Sequence, residues 1–133
     1  MTVELFTTCD FAQESVGKLT VVGAFDAITV REFPAMHPYL CIAARVRFPV
    51  YELGQKQVRI EISDAEGTQL APAMDGRISV DGIGGDSACT NLTLNLFNLR
   101  LEREGTWKVS LSLDGQERAS IPLYVRRLAV PAR

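Results

Sequence analysis

Apolar and polar side chains alternate with a period of two along most of this chain, as in β-strands that bury one face. Trp107-Lys108-Val109-Ser110-Leu111-Ser112-Leu113 is the clearest case, and Asp114-Gly115 follows it with residues that tolerate the positive φ angles of a tight hairpin. The alternation resumes through Ile121 and Leu123 between Ala119 and Val125, which predicts a C-terminal hairpin. Between Pro38 and Phe48, Leu40, Ile42, Ala44, Val46 and Phe48 share one face, with Tyr39, Cys41, Arg45 and Arg47 on the other. Val58, Ile60 and Ile62 mark another half-buried strand, closed by the polar turn Asp64-Ala65-Glu66-Gly67. Leu92, Leu94 and Leu96 alternate with Asn91, Thr93 and Asn95, giving a strand with a polar outer face. Val3 to Thr8 and Lys18 to Phe25 predict two more strands joined by a turn within Gln13 to Gly17. Gln69 to Val80 reads as an irregular or edge strand because Pro72 cannot donate to a ladder.

About eight strands joined by turns, with no window for an amphipathic helix longer than two turns, predict an all-β fold. The expected form is an immunoglobulin-like two-sheet antiparallel sandwich, because Glu104-Gly105-Thr106-Trp107 leading into the last hairpin resembles the end of such modules. A length of 133 residues suits one domain, assigned to residues 1–126, with 127–133 as a C-terminal tail. A core of that size needs neither metal nor disulfide staples.

Fourteen basic and sixteen acidic residues give a net charge of -2, which leaves no broad basic footprint for nucleic acid. There is no run of roughly 18 apolar residues for a membrane span. Met1-Thr2-Val3-Glu4-Leu5 has an acidic residue where an export signal would be basic, so a soluble cytoplasmic protein is expected. Cys9, Cys41 and Cys89 are odd in number and irregularly spaced, which predicts free thiols used as small packing residues.

Glu4-Leu5-Phe6-Thr7-Thr8-Cys9-Asp10-Phe11-Ala12, with Gly23-Ala24-Phe25-Asp26, Phe33-Pro34 and His37-Pro38, resembles an uncharacterised bacterial family of similar length. Asn91-Leu92, Gly105, Asp114-Gly115 and Pro122-Leu123-Tyr124-Val125 extend the resemblance over nearly the whole chain. It implies a β-sandwich domain of unknown function and supplies no site residues.

Among chemically capable residues, His37 is the only histidine, which excludes a multi-histidine metal site, and its place between Met36 and Pro38 suggests a structural role. Asp81-Gly82-Ile83-Gly84-Gly85-Asp86 lacks both the ligand series of a calcium loop and the lysine of a phosphate loop, so it reads as a connection. Asn91-Leu92-Thr93 matches a glycosylation acceptor but falls within a strand. No catalytic, cofactor or metal residue is nominated.

An interaction surface is expected at Tyr39, Arg45 and Arg47, since aromatic and arginine residues are enriched at binding hot spots, together with the polar ladder Asn91, Thr93 and Asn95. The bland alternative is a solvated sheet face covered by long side chains. These readings favour a noncatalytic interaction or self-assembly module, with an unidentified protein or a second copy as partner. A small-ligand or carbohydrate-binding domain is the alternative, and an enzyme built around Cys9 or His37 ranks last.

Overall fold

A computed structural model describes residues 1–82 and 84–129. It contains nine strands: β1 (Thr2–Ser15), β2 (Lys18–Phe25), β3 (Ala27–Val30), β4 (Ala35–Pro49), β5 (Gly54–Ser63), β6 (Met74–Val80), β7 (Ser87–Leu101), β8 (Gly105–Leu113) and β9 (Gln116–Arg127). They form a four-stranded sheet in the order β2-β1-β4-β7 and a five-stranded sheet in the order β3-β9-β8-β5-β6. With β4 beside β7 in one sheet, and β8 between β5 and β9 in the other, the chain follows the Greek-key path of immunoglobulin-like sandwiches. Among the described residues no helix is long and apolar enough to cross a membrane.

The core forms where the predicted apolar faces meet. Leu40, Ile42, Ala44, Val46 and Phe48 of β4 face Val58, Ile60 and Ile62 of β5, Val109 and Leu111 of β8, and Leu123 and Val125 of β9, all buried. Each large side chain taken from water in this way contributes roughly 1.5–3 kcal/mol. Asp114 and Gly115 have φ of 49° and 81°, as the tight turn of the C-terminal hairpin requires. In the β5–β6 connection, Asp64 accepts hydrogen bonds from the amides of Glu66 at 3.0 Å and Thr68 at 2.9 Å, and pairs with Arg103 at 2.8 Å. The polar turn expected there is thus built on one carboxylate.

The fold is the expected two-sheet sandwich of about eight strands, with two features the periodicity did not indicate. After β2 the chain switches sheets at Asp26 without reversing direction, so β3 lies parallel to β9, with Ala27 opposite Tyr124 and Val30 opposite Arg127. A strand that changes sheets keeps its heading, and this corner adds the ninth strand. Just after β9, the Leu128 amide donates to the Val30 carbonyl at 2.7 Å. Residues 130–133 of the expected tail, and Ile83 of the glycine-rich connection, lie outside the described residues.

β1 pairs with β4 from Thr2 opposite Arg47 to Cys9 opposite Cys41 and then leaves it. Beyond that point the β1–β2 hairpin doubles back over the outer face of its own sheet. Ala12 and Val21 pack on Cys9, Cys41 and Ala43, and the Gly17 carbonyl at the tip accepts a hydrogen bond from Asn91 Nδ2 of β7 at 3.1 Å. Cys41 and Ala43 are therefore fully buried although they point away from the main core.

The bend falls at Asp10 and Gly23. Gly23 has a φ of +67°, and a Cβ there would fall on the Asp10 carboxylate. Gly23→Ala should destabilise the fold by more than the roughly 1–3 kcal/mol of a residue forced into sparsely populated backbone space, because its Cβ also meets the Asp10 carboxylate. In an Asp10→Ala background the cost should drop back into that range, leaving the backbone term alone. Urea denaturation of the four proteins measures this, and an equal cost in both backgrounds would remove the Asp10 contact from the explanation.

Candidate functional site

The outer face of the four-stranded sheet carries all six residues of the expected interaction surface, and the folded-back hairpin divides them. At one end Arg45 lies opposite Asn91, and Arg47 opposite Cys89. The register of β1 against β4 shifts between Val3 and Leu5, so the strand holds an extra residue there. Val3 faces the main core and Leu5 packs on the outer cluster, which leaves Glu4 to reach both arginines. Arg45 Nε donates to Glu4 Oε1 at 3.0 Å, Arg47 Nε to Glu4 Oε2 at 2.6 Å, and Arg47 Nη2 to Glu4 Oε1 at 3.3 Å. Arg45 Nη1 also donates to Asn91 Oδ1 at 2.9 Å, and Arg47 Nη1 to Ser87 Oγ at 3.0 Å. Asn91 thereby links the arginine network to the hairpin tip.

Electrostatics follow from this geometry. The Arg47 guanidinium, bonded to Glu4 and assisted by Arg45, holds the Glu4 carboxyl at about 2 against an ordinary 4.5, and outweighs the opposing effect of burial. Burial pushes the Cys89 thiol up, and the Glu4 carboxylate beside it acts in the same direction. Burial likewise raises the Cys9 thiol, reinforced by the Cys41 thiol on the neighbouring strand. Protonated thiols are poor nucleophiles and poor metal ligands.

At the other end the Tyr39 hydroxyl donates to Asn95 Oδ1 at 2.9 Å, and the Tyr39 ring tilts against Phe97 with centroids 5.2 Å apart. Phe97 is 67% exposed. Thr93 stands between the two ends, opposite Ala43 and exposed. The β4–β7 register thus brings Arg45 to Asn91 and Tyr39 to Asn95, while Thr93 joins neither group. Glu4 was not among the expected site residues, because nothing in its local pattern marks a bulge. Val16 was also absent from that set. It forms the hairpin turn with Gly17 at φ of 51° and 75°, and is 94% exposed. A β-branched residue in that backbone region is strained.

His37 lies at the start of β4, opposite Leu99, with its ring 6.2 Å from that of Phe25. It borders an open depression of about 410 Å³ that also includes Asp10 and Ile28, and its Nε2 is buried without a partner among the described residues. Cys89 is at the opposite end of that strand pair, so the structure does not bring these two together. Among the described residues no group of three or more His, Cys, Asp or Glu side chains could hold a metal ion.

Because the Glu4 carboxyl is depressed when folded, its contribution to stability is complete above its ordinary pKa of 4.5 and is lost as pH falls towards about 2. Denaturant titrations across that acid range should show stability falling in the parent protein. Glu4→Gln should flatten this part of the curve, and an unchanged acid limb would show that Glu4 is not so held.

Among solved structures, the chain is similar to the Pseudomonas fluorescens alkylpurine DNA glycosylase AlkC bound to DNA containing an abasic site analog, at 12% identity and a TM-score of 0.47. The match covers 76% of this chain and 28% of that one, and bears on neither fold nor function at this level. No curated protein matches the sequence. The model of a family of unknown function, DUF6941, matches residues 4–126, and the chain belongs to that family.

Proposed function

We propose that this protein is a noncatalytic interaction module that docks a protein partner on the outer side of the four-stranded sheet and its folded-back hairpin. The observation that carries this reading is the exposed apolar side chains of the hairpin and β7. Four of the eight large apolar residues exposed among the described residues are there, Phe97 on β7, Val16 at the hairpin tip, and the cross-strand pair Phe11 and Val22, each at least 45% exposed; the others are Met36, Val50, Tyr51 and Leu128. Grouped exposed apolar residues mark interaction surfaces, whereas scattered single ones do not. Beside them, Arg45 and Arg47 are fixed by Glu4, Asn91 and Ser87, so a partner would meet them with much of their side-chain entropy already lost. Strain at Val16 fits the same reading, since unfavourable backbone persists where something other than stability selects it. The burial of Cys9 and Cys41, which also raises the Cys9 thiol, favours packing over chemistry. Three free cysteines fit a reducing compartment, in keeping with the bacterial cytoplasm.

Val16→Asn places a residue suited to the left-handed region in the turn and should stabilise the protein by about 1 kcal/mol. Combined with Phe97→Ser it should reduce capture of a specific partner from lysate by tenfold or more, as expected for loss of an apolar anchor. Quantitative capture beside a thermal melt checks both parts. A variant that melts higher and still retains its partner would overturn the assignment of this surface.

A second reading, binding of a small polar ligand such as a carbohydrate, is favoured by one feature of the other sheet. Gln57, Arg59, Asp75, Arg77 and Ser112 line an open depression of about 500 Å³ beside Gly76, whose missing side chain helps to open it. Arg59 is held there by Asp75 at 2.8 Å. If this site is used, a saccharide panel should raise the melting temperature of the parent protein but not of Arg77→Ala, whereas equal or absent shifts would count against it.

A further inference from the structure

The two sheets end in four edge strands: β2 and β7 in one, β3 and β6 in the other. Edge strands present unpaired backbone groups, and proteins blunt them by shortness, charge, bending or glycine. Three of these edges are blunted. β3 has four residues; β6 has seven and carries Asp75, Gly76 and Arg77; β2 begins with Lys18 and bends at Gly23 with its hairpin. β7 is different. It runs for 15 residues, pairs with β4 along one side, and has no strand on its other side among the described residues. From Thr90 to Leu99 it contains no charge, no proline and no glycine. Its inward Leu92, Leu94 and Leu96 are only partly covered, so the unpaired edge is also an apolar seam of the sandwich.

We infer that β7 pairs antiparallel with β7 of a second copy across a two-fold axis at Thr93, joining the two four-stranded sheets into one of eight strands. This deepens the interaction reading by naming the partner at the β7 border of that surface. The register follows from side-chain complementarity. With Thr93 opposite its own mate, Asn91 meets Asn95 of the second copy, Leu92 meets Leu94, and Thr90 meets Leu96. Threonine pairs are favourable cross-strand neighbours. The regular edge ends at Phe97, because Asn98 has a φ of 54° and its pair with Pro38 is missing from the ladder, so Arg100 beyond this bend takes no part in the pairing. A two-fold arrangement closes the assembly at a dimer, because each copy uses up its own long edge. A net charge of -2 offers little repulsion between copies.

Thr93 is exposed and makes no side-chain hydrogen bond among the described residues, so it can carry a charge without disturbing the fold. Sedimentation equilibrium of the full chain should show a concentration-dependent monomer–dimer equilibrium. Thr93→Lys and Thr93→Glu, each placing like charges directly opposite one another, should weaken the dimer about tenfold or more, while thermal melts remain those of a folded protein. Mixing the two variants should restore a heterodimer of parental affinity or better. A parent protein that stays monomeric over the accessible concentration range overturns the inference. A dimer insensitive to Thr93→Lys overturns its location on β7. Neither result bears on capture of another protein through Phe97 and Val16, which fails or succeeds separately in the lysate experiment.

Discussion

The middle of β4, from Leu40 to Ala44, is buried on both faces, and the rest of the structure is organised around that condition. Its inner residues, Leu40 to Phe48, close the core against the five-stranded sheet, while Cys41 and Ala43 are sealed from the other side by the β1–β2 hairpin. Small side chains at these outer positions let the hairpin approach closely, and the bend at Gly23 brings it back over the sheet. A larger residue at Ala43 or Cys41 would lift the hairpin and part Gly17 from Asn91. The same fold-back separates the aromatic end of the surface from the arginine end. Packing of a minor apolar cluster thus decides the layout of the exposed face.

Electrostatics and strand geometry meet at Glu4. A single extra residue in β1 puts one carboxylate within reach of two guanidiniums on the adjacent strand, and these extend to Asn91 and Ser87 on the next. Three strands are tied together across the sheet by side chains that remain partly accessible to solvent. Such a network contributes modestly to stability, because exposed ion pairs are screened, but it fixes the direction of the arginine groups. It presents a surface with little freedom left to lose on binding.

The four edges of the sandwich show selective protection. Charge, shortness and glycine dull three of them, and β7 remains long, neutral and apolar along its inner side. Belonging to a family of unknown function leaves these physical features as the available guide to what the domain does. They concentrate on one region: the outer sheet face, the hairpin tip above it, and the strand that borders both.

By itself the sequence determined the local elements. Strands with one face in the core leave a period-two trace, so Leu40 to Phe48, Val58 to Ile62, Leu92 to Leu96 and the Asp114-Gly115 hairpin were legible, as was the outer-face placement of Tyr39, Arg45 and Arg47 on their own strand. Recognition of the opening segment and closing pattern was also sufficient for the family. Tertiary structure alone decided the partnerships. Cys41 reads as an outer-face residue and is buried, because alternation reports which side a residue faces and not what folds over that side. The joining of Glu4 to Arg45 and Arg47 depends on a one-residue bulge, and the parallel β3–β9 pair on a chain that changes sheets at Asp26. Contacts of that kind link positions far apart in the chain. Periodicity is a local property and carries no record of them.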